Sequence, residues 1–477
     1  MVGSCYVSFQ TSTYSPSNDI IETKDKIIKN AELIGSQKMP TLNGSFGVKV
    51  SDLKGKSLGR IENILFWNDE QMKLINSLKQ FKNTILVGDY GSGKSVIGAG
   101  IAEYFYAHEE VLDVHYLSCQ DLKYNKKTED IFDLIMNERF LGTVKYLSMS
   151  DLRKDQLISD TILTDQALYH YLQSIENRNQ TVVIIDELKV HVPRCDSYNP
   201  IDKSSYLQKV FEYLKEEFKM ALIILSSTSI VDRADINKII PADFASFIER
   251  MADIGFNYFE LKRIMRYSQS IVSATSVNNI NKCLKISAVN ETIPSGRGST
   301  VVGLRPICVM YTLKKRINGN QDAKCEALVR CIGMYFEKTR INICQTNLKV
   351  VIICGAWTNN LLLLAKKFSV AYENVNPYVF DSDHKKFDKS EQDCRRKSVQ
   401  KWLHTGGLLI TSPYDFNGCE ADVTIVVGPD FPDRFPIGGH RNVLTRGVAH
   451  LCLIMGKSLV NLEEISKFYD VLFFDGT

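Results

Sequence analysis

Long apolar runs are absent from the 477-residue sequence. A transmembrane helix needs about 20 mostly apolar residues, and no apolar run of even about 18 residues occurs. The first residues also lack a basic segment followed by an apolar one, so no secretory signal is expected. We therefore expect a protein of the cytoplasm or the nucleus that neither contacts a membrane nor is secreted. The sequence does not indicate an oligomeric state.

Paired cysteines and a strong charge imbalance are also missing. No two of the 12 cysteines form a C-x-x-C pair, so a zinc ribbon is not expected. Several lie in apolar runs, as Cys354 does, which favours reduced, buried thiols. The net charge is only +3, from 58 basic and 55 acidic side chains. This balance excludes a strongly basic protein that coats nucleic acid, but a local groove for one strand remains compatible with it.

Residues 88–95, GDYGSGKS, fit the phosphate-binding pattern G-x-x-x-x-G-K-[ST]. Glycine accepts positive φ at little cost, so successive backbone N–H groups can curl around phosphate oxygens. Lys94 would reach the β- and γ-phosphates, and the Ser95 hydroxyl would bind Mg²⁺. The predicted phosphate contacts are Gly88, Gly91, Ser92, Gly93, Lys94 and Ser95.

The residues around this loop support the prediction. Residues 84–87 form a short apolar run, as a buried parallel strand requires. After the loop, Ile97, Ile101 and Phe105 recur at helical spacing, so a helix would begin at the loop and point its positive end at the phosphates. A glycine-rich surface turn is the alternative interpretation.

Buried-type strands alternate with amphipathic helices from residue 61 onward, which predicts an α/β fold with parallel sheets. A first set of predicted strands covers residues 84–87, 114–117, 182–185 and 221–225, with a helical excursion within 123–179. A second set covers residues 306–311, 349–354, 378–380, 408–411, 423–427 and 450–455. Predicted helices in the second set are 323–337, 359–368 and 391–404. We predict an N-terminal extension (1–58, partly disordered) and two α/β domains (59–257 and 258–477).

The apolar run 182–185 ends in Asp186 and Glu187. Ligands collect at the carboxyl edge of a parallel sheet, so Asp186 is the candidate Mg²⁺ carboxylate. Glu187 is the candidate for orienting and activating the attacking water. An acidic pair facing solvent at a strand end is the alternative. Residues 226–228, Ser-Ser-Thr, would either sense the γ-phosphate or cap the preceding strand.

Gln71 precedes the loop strand, in the sequence FWNDEQ at 66–71. Its amide offers one donor and one acceptor, which matches the edge of adenine. Phe66 or Trp67 would pack near the base. Taken alone, this glutamine does not identify an adenine site.

Arginine-bearing segments follow in the second half. Arg266 lies in LKRIMRYS (261–268), Gly418 and Glu420 lie in GCEA (418–421), and Arg446 lies in LTR (444–446). Individually each arginine could be a solvated surface charge. Together with Gln71, the phosphate loop and the Asp-Glu pair, these segments stand in the order of the motifs of superfamily 1 helicases of the UvrD/Rep kind, which this chain resembles over about residues 60–456.

That resemblance implies two RecA-like domains that hold ATP and Mg²⁺ in the cleft between them. It implies that Arg266 is directed at the γ-phosphate, that Gly418 and Glu420 belong to the nucleotide site, and that Arg446 acts as an arginine finger. An arginine in that role is worth about 10³–10⁵ in rate. It also implies single-stranded DNA or RNA as the partner, with Ser118 and residues 411–412 touching its backbone. Trp357 would stack on a base or serve as ordinary packing.

The sequence departs from the family pattern in several places. The third motif, Gly-Asp-x-x-Gln, is absent, and Ser-Ser-Thr stands in its place at 226–228. The tyrosine that precedes the family's arginine is Met265 here. ATP hydrolysis is therefore better supported than unwinding. The alternatives are a signalling switch NTPase of the STAND kind, a nucleic-acid-stimulated ATPase without unwinding, and a degenerate binding module.

Overall fold

The structure is a computed structural model that describes part of the sequence. The described residues are 71–476 without 72, 75–76, 78–81, 90, 108–110, 120–129, 155–163, 189, 193–205, 227–229, 233–242, 263, 265–266, 285–302, 314–319, 344–347, 355–360, 374, 382–388, 414, 417 and 429–443. Several predictions fall outside them: the extension at 1–58, the aromatics at 66 and 67, and the side chains of Arg266 and Trp357.

A parallel sheet of six strands forms the first domain. Its strands are β1 (Asn83–Gly88), β2 (Asp113–Ser118), β3 (Lys145–Ser148), β4 (Thr181–Asp186), β6 (Met220–Leu225) and β8 (Asn257–Leu261), in the spatial order β3-β2-β4-β6-β1-β8. The central strands β1, β4 and β6 are buried along their whole length, as expected for apolar runs covered on both faces. Two further strands, β5 (Val190–Val192) and β7 (Ile230–Asp232), pair with each other outside this sheet.

The helices of the first domain lie between these strands. They are α1 (Lys94–Tyr106), α2 (Ile131–Arg139), α3 (Met149–Lys154), α4 (Thr164–Ser174), α5 (Tyr206–Glu217) and α6 (Asp243–Ile254). Helix α2 begins with a capping box, because Asp130 accepts a hydrogen bond from the backbone N–H of Asp133 and the Asp133 side chain accepts one from that of Asp130. This box fixes the position at which α2 starts.

The second domain contains a parallel sheet of seven strands. They are β9 (Ile307–Leu313), β10 (Lys349–Cys354), β11 (Tyr378–Phe380), β12 (Gly407–Thr411), β13 (Ala421–Val427), β14 (Gly447–Gly456) and β15 (Asp470–Gly476), in the order β11-β12-β10-β13-β14-β9-β15. The helices are α7 (Gln269–Thr275), α8 (Val277–Cys283), α9 (Gln321–Thr339), α10 (Leu361–Ala371), α11 (Lys389–Thr405) and α12 (Leu462–Ile465). One-turn 3₁₀ helices cover Arg178–Gln180 and Lys457–Leu459.

The predicted fold class is confirmed: the chain is an α/β protein with two RecA-like parallel sheets. Every strand expected from an apolar run is present within a few residues of its predicted limits. The described residues within 123–179 include the expected helical excursion, formed by α2, α3 and α4, and also the unpredicted strand β3. The strand β8 pairs with β1, so the first sheet includes residues as far as Leu261.

Most described cysteines are buried, in agreement with the sequence interpretation. The free buried cysteines are Cys119, Cys283, Cys308, Cys325, Cys331, Cys354, Cys419 and Cys452, whereas Cys394 on α11 is exposed. Burial raises the pKa of the Cys308 and Cys331 thiols to about 12. No helix among the described residues is both long enough and apolar enough to cross a bilayer.

Candidate functional site

The candidate site lies at the carboxyl edge of the first sheet. Because all strands there run parallel, the ends of β1, β4 and β6 meet at one edge. Strand β6 stands between β1 and β4, so Ser226 follows the strand that separates the phosphate loop from Asp186. Ser226 is fully buried.

The phosphate loop (88–95) has the predicted turn geometry. Gly91 and Gly93 have φ angles of 79° and 91°, in the left-handed region that favours glycine. The N–H of Ser92 donates to the carbonyl of Asp89 at 3.2 Å, and the N–H of Ile97 donates to that of Gly93 at 3.0 Å. The loop is therefore a tight turn that leads directly into α1.

Two predicted site residues fold onto this loop. Lys94 is 5% exposed, and its Nζ donates to the Asp89 carbonyl at 3.1 Å. Gln71 is also buried, and its Nε2 donates to the Ser92 carbonyl at 3.1 Å. A Cβ on Gly93 would lie only 2.8 Å from that Nε2, so the glycine permits the approach. The glutamine thus contacts the backbone of the phosphate loop.

Asp186 is the buried carboxylate of the site. The Tyr116 hydroxyl donates to Asp186 Oδ2 at 2.6 Å. Burial, together with the Glu187 carboxylate, raises the pKa of Asp186 to about 6, while the hydroxyls of Tyr116 and Ser95 and the Lys94 ammonium lower it. The structure therefore brings Lys94 and Ser95 together with Asp186, which lies 91 positions after Ser95 in the sequence.

The donors present fit a divalent cation. Asp186 Oδ1 is buried and has no hydrogen-bond partner within the described part of the chain. A carboxylate oxygen left in this state costs free energy unless something else binds it. The Ser95 hydroxyl is close to the same carboxyl group. Hard oxygen donors of this kind are the ligands that Mg²⁺ prefers.

Glu187 adopts a strained backbone conformation. Its φ is 56°, which an L-residue with a Cβ rarely adopts. Positive φ also occurs at two other described non-glycine residues, Asn177 and Arg340. Both lie next to a helix end, where this conformation is common. Strain of this kind is retained where surrounding structure imposes it, and it is common at functional sites.

Arg446 lies beside Gly418 and Glu420 in the second domain. It is 6% exposed, and its Nη1 donates to the Cys419 carbonyl at 3.3 Å. The Ala421 N–H donates to the Arg446 carbonyl at 3.0 Å. Gly418 has a φ of 76°, and Glu420 is half-buried just before β13. The predicted residues of the second domain are therefore neighbours.

The two domains meet near this group. The Ile131 N–H, at the start of α2, donates to the carbonyl of Asp415 at 3.2 Å. The pKa of Cys419 is raised well above its usual value by burial and then by Asp130, whereas Arg446 lowers it. Asp130, Asp415, Cys419 and Arg446 form what we call the junction cluster. It places Arg446 at the contact between the domains.

The hydroxyls expected to touch a nucleic-acid backbone are buried within the protein. Ser118 is 2% exposed and lies close enough to the Tyr146 hydroxyl to influence its pKa. Thr411 is fully buried. Ser412 Oγ donates to Asp415 Oδ2 at 2.6 Å. Ser412 thus holds the turn that follows β12, whereas the Thr411 hydroxyl has no hydrogen-bond partner within the described part of the chain.

The sequence interpretation missed two tyrosines at the site. Tyr116 holds Asp186, and Tyr267 packs against the phosphate loop so closely that a Cβ on Gly91 would overlap its hydroxyl. Tyr116 was interpreted only as part of the strand at 114–117, and Tyr267 only as a neighbour of Arg266 in the segment 261–268. No local pattern signals the bond of Tyr116, because its partner Asp186 lies 70 positions further along the chain.

Comparisons with known proteins give only distant structural likenesses. No protein-family model matches the sequence, and no curated protein does. A DUF1998 helicase, MrfA, bound to DNA has a TM-score of 0.42 at 10% identity, with 84% of this chain and 50% of that chain covered. The chain therefore spans about half the length of MrfA.

Two further solved structures have lower TM-scores. A fragment described as an HsdR subunit of a type I restriction enzyme from Vibrio vulnificus YJ016 has a TM-score of 0.39 at 10% identity, covering 85% of this chain and 68% of that one. The C-terminal domain of a possible DNA helicase from Lactobacillus plantarum WCFS1 has a TM-score of 0.25 at 14% identity, covering 43% and 97%. The fold assignment above depends on the sheets themselves.

Proposed function

We propose that this chain is an ATP-dependent nucleic-acid translocase or helicase of the superfamily 1 type, which hydrolyses ATP between two RecA-like domains. The convergence of Lys94, Ser95 and Asp186 at one sheet edge, beside a left-handed glycine turn, is the observation that carries the proposal. The superfamily 1 part of the proposal comes from the order of the motifs along the sequence.

Each residue has a distinct task in this proposal. The backbone N–H groups of the phosphate loop and Lys94 Nζ bind the phosphates, after Lys94 exchanges its bond to the Asp89 carbonyl for a phosphate oxygen. Ser95 and Asp186 would hold Mg²⁺, which neutralises charge on the β- and γ-phosphates when bound. Glu187 orients the attacking water. Gln71 contacts adenine after its Nε2 exchanges the Ser92 carbonyl for the base.

The second domain supplies cations in this proposal. Arg266 and Arg446 approach the γ-phosphate when the domains close, with Gly418 and Glu420 lining the same side. Charge on the transferring phosphoryl group is stabilised by such arginines. Loss of the γ-phosphate then removes an attraction between the domains, and the cleft opens. Domain boundaries are also part of the proposal: one near residue 58, and one just after Leu261 instead of at residue 257, because β8 belongs to the first sheet.

A switch NTPase that binds no nucleic acid is the second candidate. The buried Ser226 after β6 is compatible with a sensor of the γ-phosphate in either case. The second parallel sheet, of seven strands, favours the translocase, because in a STAND-like switch small helical domains would follow the nucleotide domain.

The rate of ATP hydrolysis with and without single-stranded DNA or RNA separates these candidates. We expect stimulation of about tenfold or more, within the usual range of coupling between two sites. Lys94→Ala should abolish both basal and stimulated turnover. An unstimulated but Lys94-dependent ATPase would favour the switch, and a wild-type chain that neither binds nor hydrolyses ATP would contradict both. Separate DNA and RNA titrations identify the partner.

A further inference from the structure

A buried hydrogen bond joins β2 to the candidate metal carboxylate. The Tyr116 hydroxyl donates to Asp186 Oδ2 at 2.6 Å, a length typical of a hydroxyl bound to a charged carboxylate. Tyr116 is fully buried, and Asp186 is 1% exposed. Water therefore does not compete for this bond, and the hydroxyl is a fixed partner of one carboxylate oxygen.

The tyrosine ring is held in place from several sides. It lies against α1 at Gly98, where a Cβ would approach ring atom Cε2 to 3.3 Å. Its centroid is 5.4 Å from that of Phe140 and 6.0 Å from that of Tyr146. A side chain packed this closely has little rotational freedom. The hydroxyl position is consequently set by the fold and does not depend on a nucleotide.

We propose that Tyr116 is a positioning residue for the metal-binding carboxylate Asp186. By occupying Oδ2, the hydroxyl fixes the carboxylate rotamer and leaves Oδ1, which lacks a hydrogen-bond partner among the described residues, available to a divalent cation. Partners of this kind orient metal ligands. The inference rests on the proposed function, since it requires that Mg²⁺ and a nucleoside triphosphate bind at this edge.

Tyr116→Phe tests the proposal, because it removes the hydroxyl and keeps the ring. We would measure binding of a fluorescent, non-hydrolysable ATP analogue while titrating MgCl₂, and again in EDTA. The Mg²⁺ concentration at half-maximal effect should rise about 10- to 100-fold, as is usual when the partner of a metal ligand is removed. Affinity in EDTA should change little, since the other contact of the Tyr116 hydroxyl, to the Ser95 carbonyl of the loop, is long at 3.5 Å.

Tyr146→Phe is the matched control. Tyr146 is buried on the neighbouring strand, and its hydroxyl donates at 2.6 Å to Asp133 Oδ1 instead of Asp186. This variant should show the Mg²⁺ dependence of the wild type. Tyr116→Leu, which lacks both hydroxyl and ring, should repeat the Mg²⁺ shift at a lower Tm and so separates cation binding from stability.

The outcomes separate a failure of this inference from a failure of the proposed function. A less than about twofold shift in Tyr116→Phe, with normal Mg²⁺-dependent binding by the wild type, overturns this inference and leaves the proposed function intact. An equal loss of affinity with and without Mg²⁺ also overturns it, because the role would then be structural. A wild-type chain whose nucleotide binding is indifferent to Mg²⁺ overturns both.

Discussion

The contact between Tyr267 and Gly91 gives a quantitative prediction about the phosphate loop. Gly91 has a φ of 79°, and a Cβ built on it would overlap the Tyr267 hydroxyl. Tyr267 is 1% exposed and lies on the segment that leads from β8 to α7. Gly91→Ala therefore imposes two separate costs, one on the backbone and one on packing.

Gly142 offers a control for the backbone cost alone. Its φ is 74°, and nothing lies within 4 Å of a Cβ added there. Placing alanine in the left-handed region costs roughly 1–2 kcal/mol. Overpacking a buried contact adds about 1–3 kcal/mol. We therefore expect Gly142→Ala to cost about 1–2 kcal/mol of unfolding free energy and Gly91→Ala about 2–5 kcal/mol.

Denaturant unfolding, followed by tryptophan fluorescence and circular dichroism, measures both costs. In a Tyr267→Leu background the extra cost of Gly91→Ala should vanish, so the double-mutant cycle should return a coupling of about 1–3 kcal/mol. Gly142→Ala should be unaffected by Tyr267→Leu. Equal costs for the two alanine variants, or a coupling near zero, would refute the packing of Tyr267 on the loop.

Other predictions concern catalysis, strain and pH. Arg446→Ala should lower ATP turnover by about 10³-fold while nucleotide affinity is largely retained, and a parallel loss of affinity would contradict the finger role. Glu187→Gln should bind ATP without turnover. Glu187→Gly should also be inactive yet raise the unfolding free energy by about 1 kcal/mol, because glycine accepts its φ of 56°, and calorimetry can detect this gain. Burial lowers the pKa of His450 to about 4 from 6.5, so its contribution to stability is present above pH 6.5 and lost as pH falls toward 4. The unfolding free energy of His450→Gln should be measured with urea at several pH values. Its slope against pH should be smaller than that of the wild type by about one proton, and an unchanged slope would exclude His450 as its source.

The fold could be predicted where burial is complete. Strands such as β4, buried at every residue, are apolar runs that stand out in the sequence. Strands β8 and β15 were not predicted, because they lie at sheet edges and most of their residues are exposed or half-buried. The insertion of β6 between β1 and β4 could not be predicted either, since the sequence gives order along the chain and not order across a sheet.

The site could be predicted only where its contacts are local. The phosphate loop is a single turn whose residues impose its shape, so its pattern is sufficient. The bond between Tyr116 and Asp186 spans 70 positions, and nothing near either residue specifies the other. Ser412 is an intermediate case: its spacing of three from Asp415 is typical of a capping pair, and that pattern would have predicted its buried hydrogen bond.

The distribution of thiols has a practical consequence for measuring how the two domains move. A maleimide dye reacts with thiolates, and buried thiols with raised pKa values stay protonated and shielded at neutral pH. Among the described cysteines, Cys394 on α11 is the exposed one. The cysteines at positions 5, 195 and 344 would first be replaced by serine. A fluorophore attached to Cys394, paired with a second dye on the first domain, would then report changes in the distance between the domains during the ATPase cycle.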